Sequence, residues 1–212
     1  MDSLHHLEEL FAKFPGIGPR QAKRFVYYLL NKSPSYIKEF TQLVEDVKKS
    51  TSECEMCHRI FVNSAIQKSG SKTFVCSICN DSSRDKSTLM VVARDSDYET
   101  VEKSSAYKGL YFVLGGTVPI LDNDPEKRIR LKLLLERVLA GQKNFKEIIL
   151  SLNTTPDGEH TANIVKEALV KILKNSPLYS AKVSVLGRGL STGAELEYVD
   201  SETIKNALQN RH

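Results

Sequence analysis

The chain's four cysteines form two pairs, Cys54-Glu55-Met56-Cys57 and Cys76-Ser77-Ile78-Cys79, with the 18 residues from His58 to Val75 between them. Two residues between ligands let both sulfurs of a pair reach one ion from a tight turn, and two such knuckles joined by a hairpin close a tetrahedral S₄ site. Two disulfides or four buried thiols would use the same residues. Nothing in the sequence points to an oxidising compartment, so the spacing reads as zinc, one per chain, held by Cys54, Cys57, Cys76 and Cys79. With every ligand a cysteine, no position remains for water, and the ion is structural. His58 would be a fifth donor at a four-ligand ion and reads as a surface residue or a hydrogen-bond donor to sulfur.

A module of about 35 residues is too short to fold without its metal, so the rest of the chain must supply other cores. The 212 residues, 41% hydrophobic and 26% charged, suit one large domain or two to three small ones, and this composition excludes global disorder. His5, His6, Glu8, Glu9 and Lys13 interrupt the run from Leu4 to Phe14, so no signal peptide is expected there. No stretch approaches the roughly 20 apolar residues that span a bilayer. The expectation is a cytoplasmic protein with reduced, metal-bound cysteines and no membrane partner.

The net charge of +4 says little, but its distribution says more. From Leu10 to Lys38 there is no acidic residue, while Lys13, Arg20, Lys23, Arg24, Lys32 and Lys38 are present. Such a segment is either a solvated helix face or an electrostatic footprint for phosphate. The local pattern decides. Asp2 or Ser3 can cap a first helix with Leu4, Leu7, Leu10, Phe11 and Phe14 along one stripe. Pro15 stops it, Gly16 and Gly18 permit a tight turn, and Pro19 suits the first position of a second helix. That helix turns Ala22, Phe25, Val26, Leu29 and Leu30 one way and Arg20, Lys23 and Arg24 the other. Helix, Pro-Gly-Ile-Gly hairpin, helix is the helix-hairpin-helix pattern. Its open backbone and helix start favour a phosphate, giving a DNA contact without sequence preference through Gly16, Gly18, Arg20, Lys23 and Arg24. A plain helical corner would contain the same glycines. A third helix is expected over Ser35–Lys49, with Ile37, Phe40, Leu43, Val44 and Val47 inward.

Ile60–Val62 and Thr73–Val75 read as the short strands of the zinc module, with Lys68–Lys72 as their turn. Beyond Ser87 strands and helices alternate. Strands are predicted at Leu89–Ala93, Leu110–Leu114, Ile148–Leu152 and Lys182–Leu186. Helices are predicted up to about Ser104, from Pro125 through Val138, over Thr161–Leu173 and over Ser201–Leu208. This alternation indicates an α/β fold with a parallel sheet covered by helices on both faces. Functional groups of such sheets gather beyond the strand C-termini, here Ala93–Asp97, Gly115–Thr117, Asn153–Glu159 and Gly187–Gly189. The chain divides into a helix-hairpin-helix domain (1–50), a zinc module (51–84), a sheet domain (85–187) and a C-terminal segment (188–212).

Val91-Val92-Ala93, then Thr100-Val101-Glu102, then Asn153-Thr154-Thr155-Pro156-Asp157-Gly158-Glu159 resemble a Toprim domain. Active Toprim enzymes carry a glutamate ending the first strand and a D-x-D run after the third, and these bind Mg²⁺. Here those positions are Ala93, Asn153 and Thr155, which neither hold a hard cation well nor transfer protons. Asp157 and Glu159 remain as a weak ion or partner site, or as helix-start acids that complement the dipole. Asp95 and Asp97 lie nearby in sequence.

End to end, the chain resembles the RecR family of recombination mediators. The resemblance rests on Phe14-Pro15-Gly16-Ile17-Gly18-Pro19-Arg20, Tyr107-Lys108-Gly109, Val113-Leu114-Gly115-Gly116, Gly187-Arg188-Gly189-Leu190 and Glu195-Leu196-Glu197-Tyr198, and on the order hairpin, four-cysteine module, degenerate Toprim domain. Ala93, where the family often keeps glutamate, and Pro156-Asp157, where Val-Glu is usual, are departures. The resemblance implies a non-enzymatic DNA-binding clamp in recombinational repair, a ring-shaped homotetramer that acts with RecO and RecF to load RecA on single-stranded DNA. A Toprim-type nuclease is the enzymatic alternative.

Overall fold

The computed structural model describes residues 2–62, 74–122, 124, 127–141, 145–174, 181–187 and 189–210. Contacts divide the chain into two compact units, Met1–Thr51 with Val62–Ser64, and Ser52–Phe61 with Ala65–His212.

The first unit is helical. Helix α1 (Ser3–Ala12) starts at Asp2, whose carboxylate accepts from Leu4 N at 3.1 Å. Helix α2 (Pro19–Leu30) starts with proline at its first position. Between them Gly16 sits at φ +76°, a conformation that any side chain would strain. Ala22 and Val26 are the buried residues of α2, and the Phe11 ring packs on Phe14 and Phe25 at 5.5 and 5.7 Å. Helix α3 (Pro34–Ser50) is capped by Ser33 Oγ, which accepts from Tyr36 N.

The helix periods are as expected, but the inward faces are not all inward. Phe40, Leu43, Val44 and Val47 on α3 are 41–59% exposed, and Leu30 of α2 is exposed with them. The α1–α2 pair packs on itself, and no described residue covers the α3 stripe. Periodicity fixes which residues share a face; it does not supply the surface that covers them.

Next along the chain, β1 (Thr51–Glu53) and β2 (Ile60–Val62) form a two-stranded sheet around the first cysteine pair. The partner of Ile60–Val62 is therefore Thr51–Glu53. Phe74 and Val75 are not in a strand, although Glu55 N donates to Phe74 O at 2.9 Å; Thr73 and the expected turn at 68–72 lie outside the described residues. A single helical turn, α4 (Ser77–Asn80), carries the second pair.

Four parallel strands follow: β3 (Asp85–Val92), β4 (Gly109–Val113), β5 (Glu147–Ser151) and β6 (Lys182–Val185), in the order β4-β3-β5-β6. Helices α5 (Asp95–Lys103), α6 (Leu131–Ala140) and α7 (Pro156–Lys174) alternate with them, and α8 (Ser201–Gln209) ends the fold. α6 begins at Leu131, not at Pro125: Lys127–Ile129 are not α-helical, and Pro125 lies outside the described residues.

Strand parity sorts the core. Leu89, Val91, Leu110, Phe112, Ile148 and Leu150 face α6 and α7, meeting Leu134, Val138, Val165 and Leu169. Met90, Val92, Tyr111, Val113 and Ile149 face the other way, onto Tyr98 of α5 and onto Cys54, Cys57, Phe61, Cys76 and Ile78. The cysteine module is thus part of the layer that covers the sheet. Among the described residues no helix is long and apolar enough to cross a membrane.

Leu134, fully buried between α6 and the sheet, sets a scale for this core. Leu134→Ala should cost about 2–5 kcal/mol in urea unfolding, whereas Val44→Ala on the exposed α3 stripe should change the stability of a dilute, monomeric sample by less than about 1 kcal/mol.

Candidate metal centre and nucleic-acid interface

The four sulfurs lie within 4.8 Å of one another, and Cys57 Sγ and Cys76 Sγ are 3.7 Å apart. Sulfurs about 2.3 Å from a central metal, at tetrahedral angles, stand roughly 3.8 Å apart, whereas a disulfide needs about 2.05 Å. The arrangement is that of a closed four-sulfur metal site. Each turn is built by backbone, with His58 N donating to Cys54 O at 2.8 Å in the first and Asn80 N to Cys76 O at 3.1 Å in the second, while Cys54 N donates to Arg59 O at 2.9 Å and Cys76 N reaches across to Cys54 Sγ at 3.4 Å. Packed this closely, the thiols oppose one another's ionisation. Hydrogen bonding with Cys57 pulls Cys54 far down, and hydrogen bonding with Cys54, followed by burial, pushes Cys57 and Cys79 far up. A divalent cation removes that conflict, because it lets all the sulfurs be thiolates at once.

The knuckle is fastened to the sheet at several points. Cys57 O accepts from Val113 N at 2.8 Å, which satisfies one amide on the outer edge of β4. His58, at φ 60°, points its Nδ1 at Glu53 Oε1 (2.7 Å) and sets its ring against Phe112. Glu53 also accepts from Arg130 at 3.1 Å. That arginine passes over Gly115, where a Cβ would stand 2.4 Å from its guanidinium and where φ is +93°. Ile60 N donates to Asp95 Oδ1 at 2.8 Å, and Asp97 Oδ2 accepts from Arg94 N at 2.9 Å. Asp95 and Asp97 are therefore engaged in holding the start of α5.

At the carboxyl end of the sheet the positions of the Toprim carboxylates are filled as the sequence says. Ala93 is fully buried and its carbonyl accepts from Gly115 N at 2.9 Å. Asn153 is exposed; Thr155 Oγ1 accepts from Gly158 N at 3.2 Å inside the first turn of α7. Asp157 and Glu159 lie in that first turn, and Asp157 Oδ1 accepts from Ile120 N at 3.3 Å, tying the loop after β4 to α7. Among the described residues, the cysteines are the one group of three or more His, Cys, Asp or Glu close enough to share an ion. The acids of this end do not form another.

Of the stretches expected to gather beyond the strands, Asn153–Glu159 meets Gly187 and Gly189, Arg188 lying outside the described residues. They border a cleft of about 460 Å³ with Thr154, Glu159, Gly187 and Gly189 on one side and Asp200, Thr203 and Asn206 of α8 on the other. Ala93–Asp97 and Gly115–Thr117 do not line it. The contribution of α8 was not anticipated. Its one local signal is Asp200, an N-cap that accepts from Glu202 N and Thr203 N.

In the first unit the hairpin presents its backbone openly. Gly18 is the N-cap of α2 with no side chain to satisfy the helix start, and nothing lies within 4 Å of where a Cβ would stand on Gly16 or Gly18. Gly18 has φ −83°, which any residue adopts, so only Gly16 is required by the turn itself. Arg20, Lys23 and Arg24 are all exposed around that helix start. Arg24 reaches Gln21 at 3.4 Å, and Lys23 lies 5.9 Å from the Tyr27 ring centre. No acidic side chain is paired with any of the three among the described residues.

Residues 87–179 match the family model described as Toprim domain, and residues 189–212 the one described as RecR, C-terminal. Relatives that carry the name Recombination protein RecR match the chain over nearly its full length. That of Lactobacillus johnsonii is 35% identical over 201 residues, 95% of this chain and 92% of its own. That of Bacteroides thetaiotaomicron is 35% identical over 201 residues, 95% and 89%. That of Lactococcus lactis subsp. lactis is 32% identical over 210 residues, 99% and 96%.

Because Cys57 is bonded to β4 through its own carbonyl, metal removal should reach the sheet. Chelation, or Cys57→Ser, should speed amide hydrogen exchange at Val113 and lower the melting temperature of the second unit. Unchanged exchange at Val113 in metal-free protein would detach the sulfur cluster from the sheet's stability.

Proposed function

The chain belongs to the RecR family, and from that membership we propose that it is a DNA-binding clamp and adaptor of recombinational repair. The observation that carries the DNA contact is the uncapped start of α2 at Gly18, ringed by exposed Arg20, Lys23 and Arg24. Gly16 and Gly18 let a phosphate approach the backbone, the helix dipole favours the anion, and the three cations add charge on the same side. Contacts of this kind reach phosphate and not base edges, so binding is independent of sequence. In the cell the protein works in the cytoplasm, on nucleoid DNA.

The partners follow from the family. RecO and RecF act with the clamp to load RecA on single-stranded DNA, and Asp157 and Glu159, beside the α8 cleft, are offered as a surface for a partner or a weakly held ion. The clamp is a homotetrameric ring. Support within this chain is the uncovered apolar stripe of α3, together with an apolar groove of about 520 Å³ bordered by Phe11, Phe14, Tyr28, Tyr36 and Phe40. Exposed apolar surface on this scale marks an interface. The four cysteines hold one zinc ion. The all-sulfur donor set and its tetrahedral spacing suit zinc, and full occupancy by protein ligands makes the ion structural. The division into hairpin domain (1–50), zinc module (51–84), Toprim-like domain (85–187) and C-terminal segment (188–212) completes this reading.

The protein acts without catalysing phosphoryl transfer. Support comes from Ala93, Asn153 and Thr155 at the positions where active Toprim enzymes carry carboxylates. The rival reading, a metal-dependent nuclease, rests on the Toprim match over residues 87–179. Mg²⁺-dependent nicking of plasmid by clean protein, abolished in an Asp157→Ala, Glu159→Ala variant, would favour the rival.

DNA affinity, followed by fluorescence anisotropy over a salt series, should fall steeply with salt. Arg20→Ala and Arg24→Ala should each weaken all sequences about equally and flatten the slope by roughly one unit per lost phosphate contact in each protomer. An Arg20→Ala, Arg24→Ala protein of normal mass in solution with unchanged affinity would place the DNA contact elsewhere.

A further inference from the structure

The two ends of the parallel sheet carry opposite charge. At the carboxyl end the cleft of about 460 Å³ is lined by Glu159, Asp200 and Glu202, and by no cation among the described residues. At the amino end every strand has a lysine at or beside its first residue. Lys108 and Lys146 immediately precede β4 and β5, Lys86 is the second residue of β3, and Lys182 is the first of β6. All four are exposed. Backbone hydrogen bonds hold these positions to one rung: Asp85 N donates to Lys108 O at 3.0 Å, Lys146 N to Ser87 O at 2.7 Å, and Lys182 N to Lys146 O at 2.8 Å. In the order β4-β3-β5-β6 the row runs Lys108, Lys86, Lys146, Lys182. Helix α7 leads back from β5 to the start of β6 and adds exposed Lys171 and Lys174 in its last turn.

The acids beside the row are engaged by other groups. Asp81 accepts from Ser83, Asp85 from Ser87 N and Thr88, and Glu102 from Arg84 and Tyr111. Glu147, the register partner of Lys182, accepts from Ser184 at 2.6 Å. None of these bonds comes from a lysine of the row. Lys49, Lys103, Lys127 and Lys132, by contrast, each reach an acid three or four residues away. Two structural uses of lysine account for only part of the pattern. Complementing a helix C-terminus explains Lys171 and Lys174 but no lysine on a strand. Guarding a sheet edge explains Lys108 and Lys182, on the outer strands, but not Lys86 and Lys146 on the inner ones.

We infer that the amino end of the sheet is a track for a DNA backbone, along which Lys108, Lys86, Lys146 and Lys182 meet successive phosphates of one strand. This rests on the reading of the chain as a DNA-binding clamp, and it gives that clamp a second contact, at the end of the sheet opposite to the Toprim carboxylate positions. Neighbouring strands stand about 4.8 Å apart, so four strand ends span about 14 Å. At 3.4 Å per nucleotide along one strand, that is about four nucleotides. Lysine suits the task because its ammonium is a mobile point charge that needs no fixed approach angle. The acids of the carboxyl end repel the same polyanion, so the field of the domain turns DNA towards the row. Such contacts reach phosphate and carry no sequence preference.

The test uses full-length protein with a fluorescent DNA duplex and a fluorescent single strand, followed by anisotropy over a salt series. Wild type is compared with a variant combining Lys86→Gln, Lys108→Gln, Lys146→Gln and Lys182→Gln, and with one carrying arginine at the same four positions. The glutamine variant should bind both DNAs about tenfold or more weakly and flatten the salt slope by roughly one unit per lost contact in each protomer. The arginine variant keeps the charge and should bind as wild type does. Lysine acetylation of wild-type protein, read by mass spectrometry, carries the test if the glutamine variant fails to fold. DNA should shield the row and leave Lys132, in the first turn of α6, open. Unchanged affinity and slope in a folded glutamine variant overturn the inference, as does equal acetylation of the row with and without DNA. Equal weakening in the arginine variant overturns it too, because the charge is still there. Shielding by a polyglutamate peptide but not by DNA would make the row a dock for an acidic protein segment instead. An Arg20→Ala, Arg24→Ala variant separates this contact from the hairpin. Binding lost there and kept in the glutamine variant removes the row and leaves the hairpin; the converse removes the hairpin and leaves the row. Wild-type protein that binds no DNA defeats both.

Discussion

Four sulfurs within 4.8 Å of one another are the constraint on which the second unit depends. Their mutual repulsion as thiolates, or their mutual competition for protons as thiols, makes the turn geometry unfavourable until a cation sits between them. Once closed, the turns place Cys57 O against Val113 N, Ile60 N against Asp95, and Glu53 between His58 and Arg130. A local electrostatic problem with a single solution thereby fixes how one face and one edge of the sheet are finished.

The sheet is covered on both faces, by two different means. Towards α6 and α7 the cover is ordinary aliphatic packing around Leu134, Val165 and Leu169. Towards α5 it is a mixed layer, in which cysteine turns and aromatic rings share the space over Tyr111 and Val113. The phenols of that layer are held protonated: burial pushes Tyr107 up to about 12, and burial with the Glu102 carboxylate pushes Tyr111 up as well. Glu102 accepts from both Tyr111 and Arg84, so the polar groups beneath the knuckle satisfy one another and leave the metal ligands unopposed.

Much of this was legible in the sequence because its signals are local. Cysteine spacing, Pro19 at a helix start, and the apolar runs of β3, β4 and β5 each depend on neighbours along the chain. Where the reading failed, the deciding partner was remote. Ile60–Val62 pairs with Thr51–Glu53 instead of with the stretch before Cys76, because the first cysteine pair itself forms the turn between two strands. His58 read as a surface residue or a hydrogen-bond donor to sulfur, but its side chain turns to Glu53 and Phe112. Asp95 and Asp97 looked like spare acids, but backbone amides claim them. The α3 stripe has helical periodicity and no described cover, which no reading of period alone could settle. At the hairpin the residues of the proposed DNA contact were readable as a set, while the difference between the two glycines was not: Gly16 is demanded by its φ, whereas Gly18 has a backbone that any residue adopts and open space where a side chain would stand.

The strand order β4-β3-β5-β6 bears on how the protein is born. Synthesis delivers both cysteine pairs before any interior strand is complete, so the ion can be captured while the chain is still being extruded. The captured knuckle then waits with its inner surface bare until β4 arrives to receive it. The central pair β3–β5 closes later still, after α6 has emerged, because β5 lies far downstream of the strand it must join. During that interval β3 has β4 on one side and an open edge on the other, the kind of edge that recruits foreign strands. A knuckle already seated on β4 grips it through Val113 N, and the side of β3 that awaits β5 stays open.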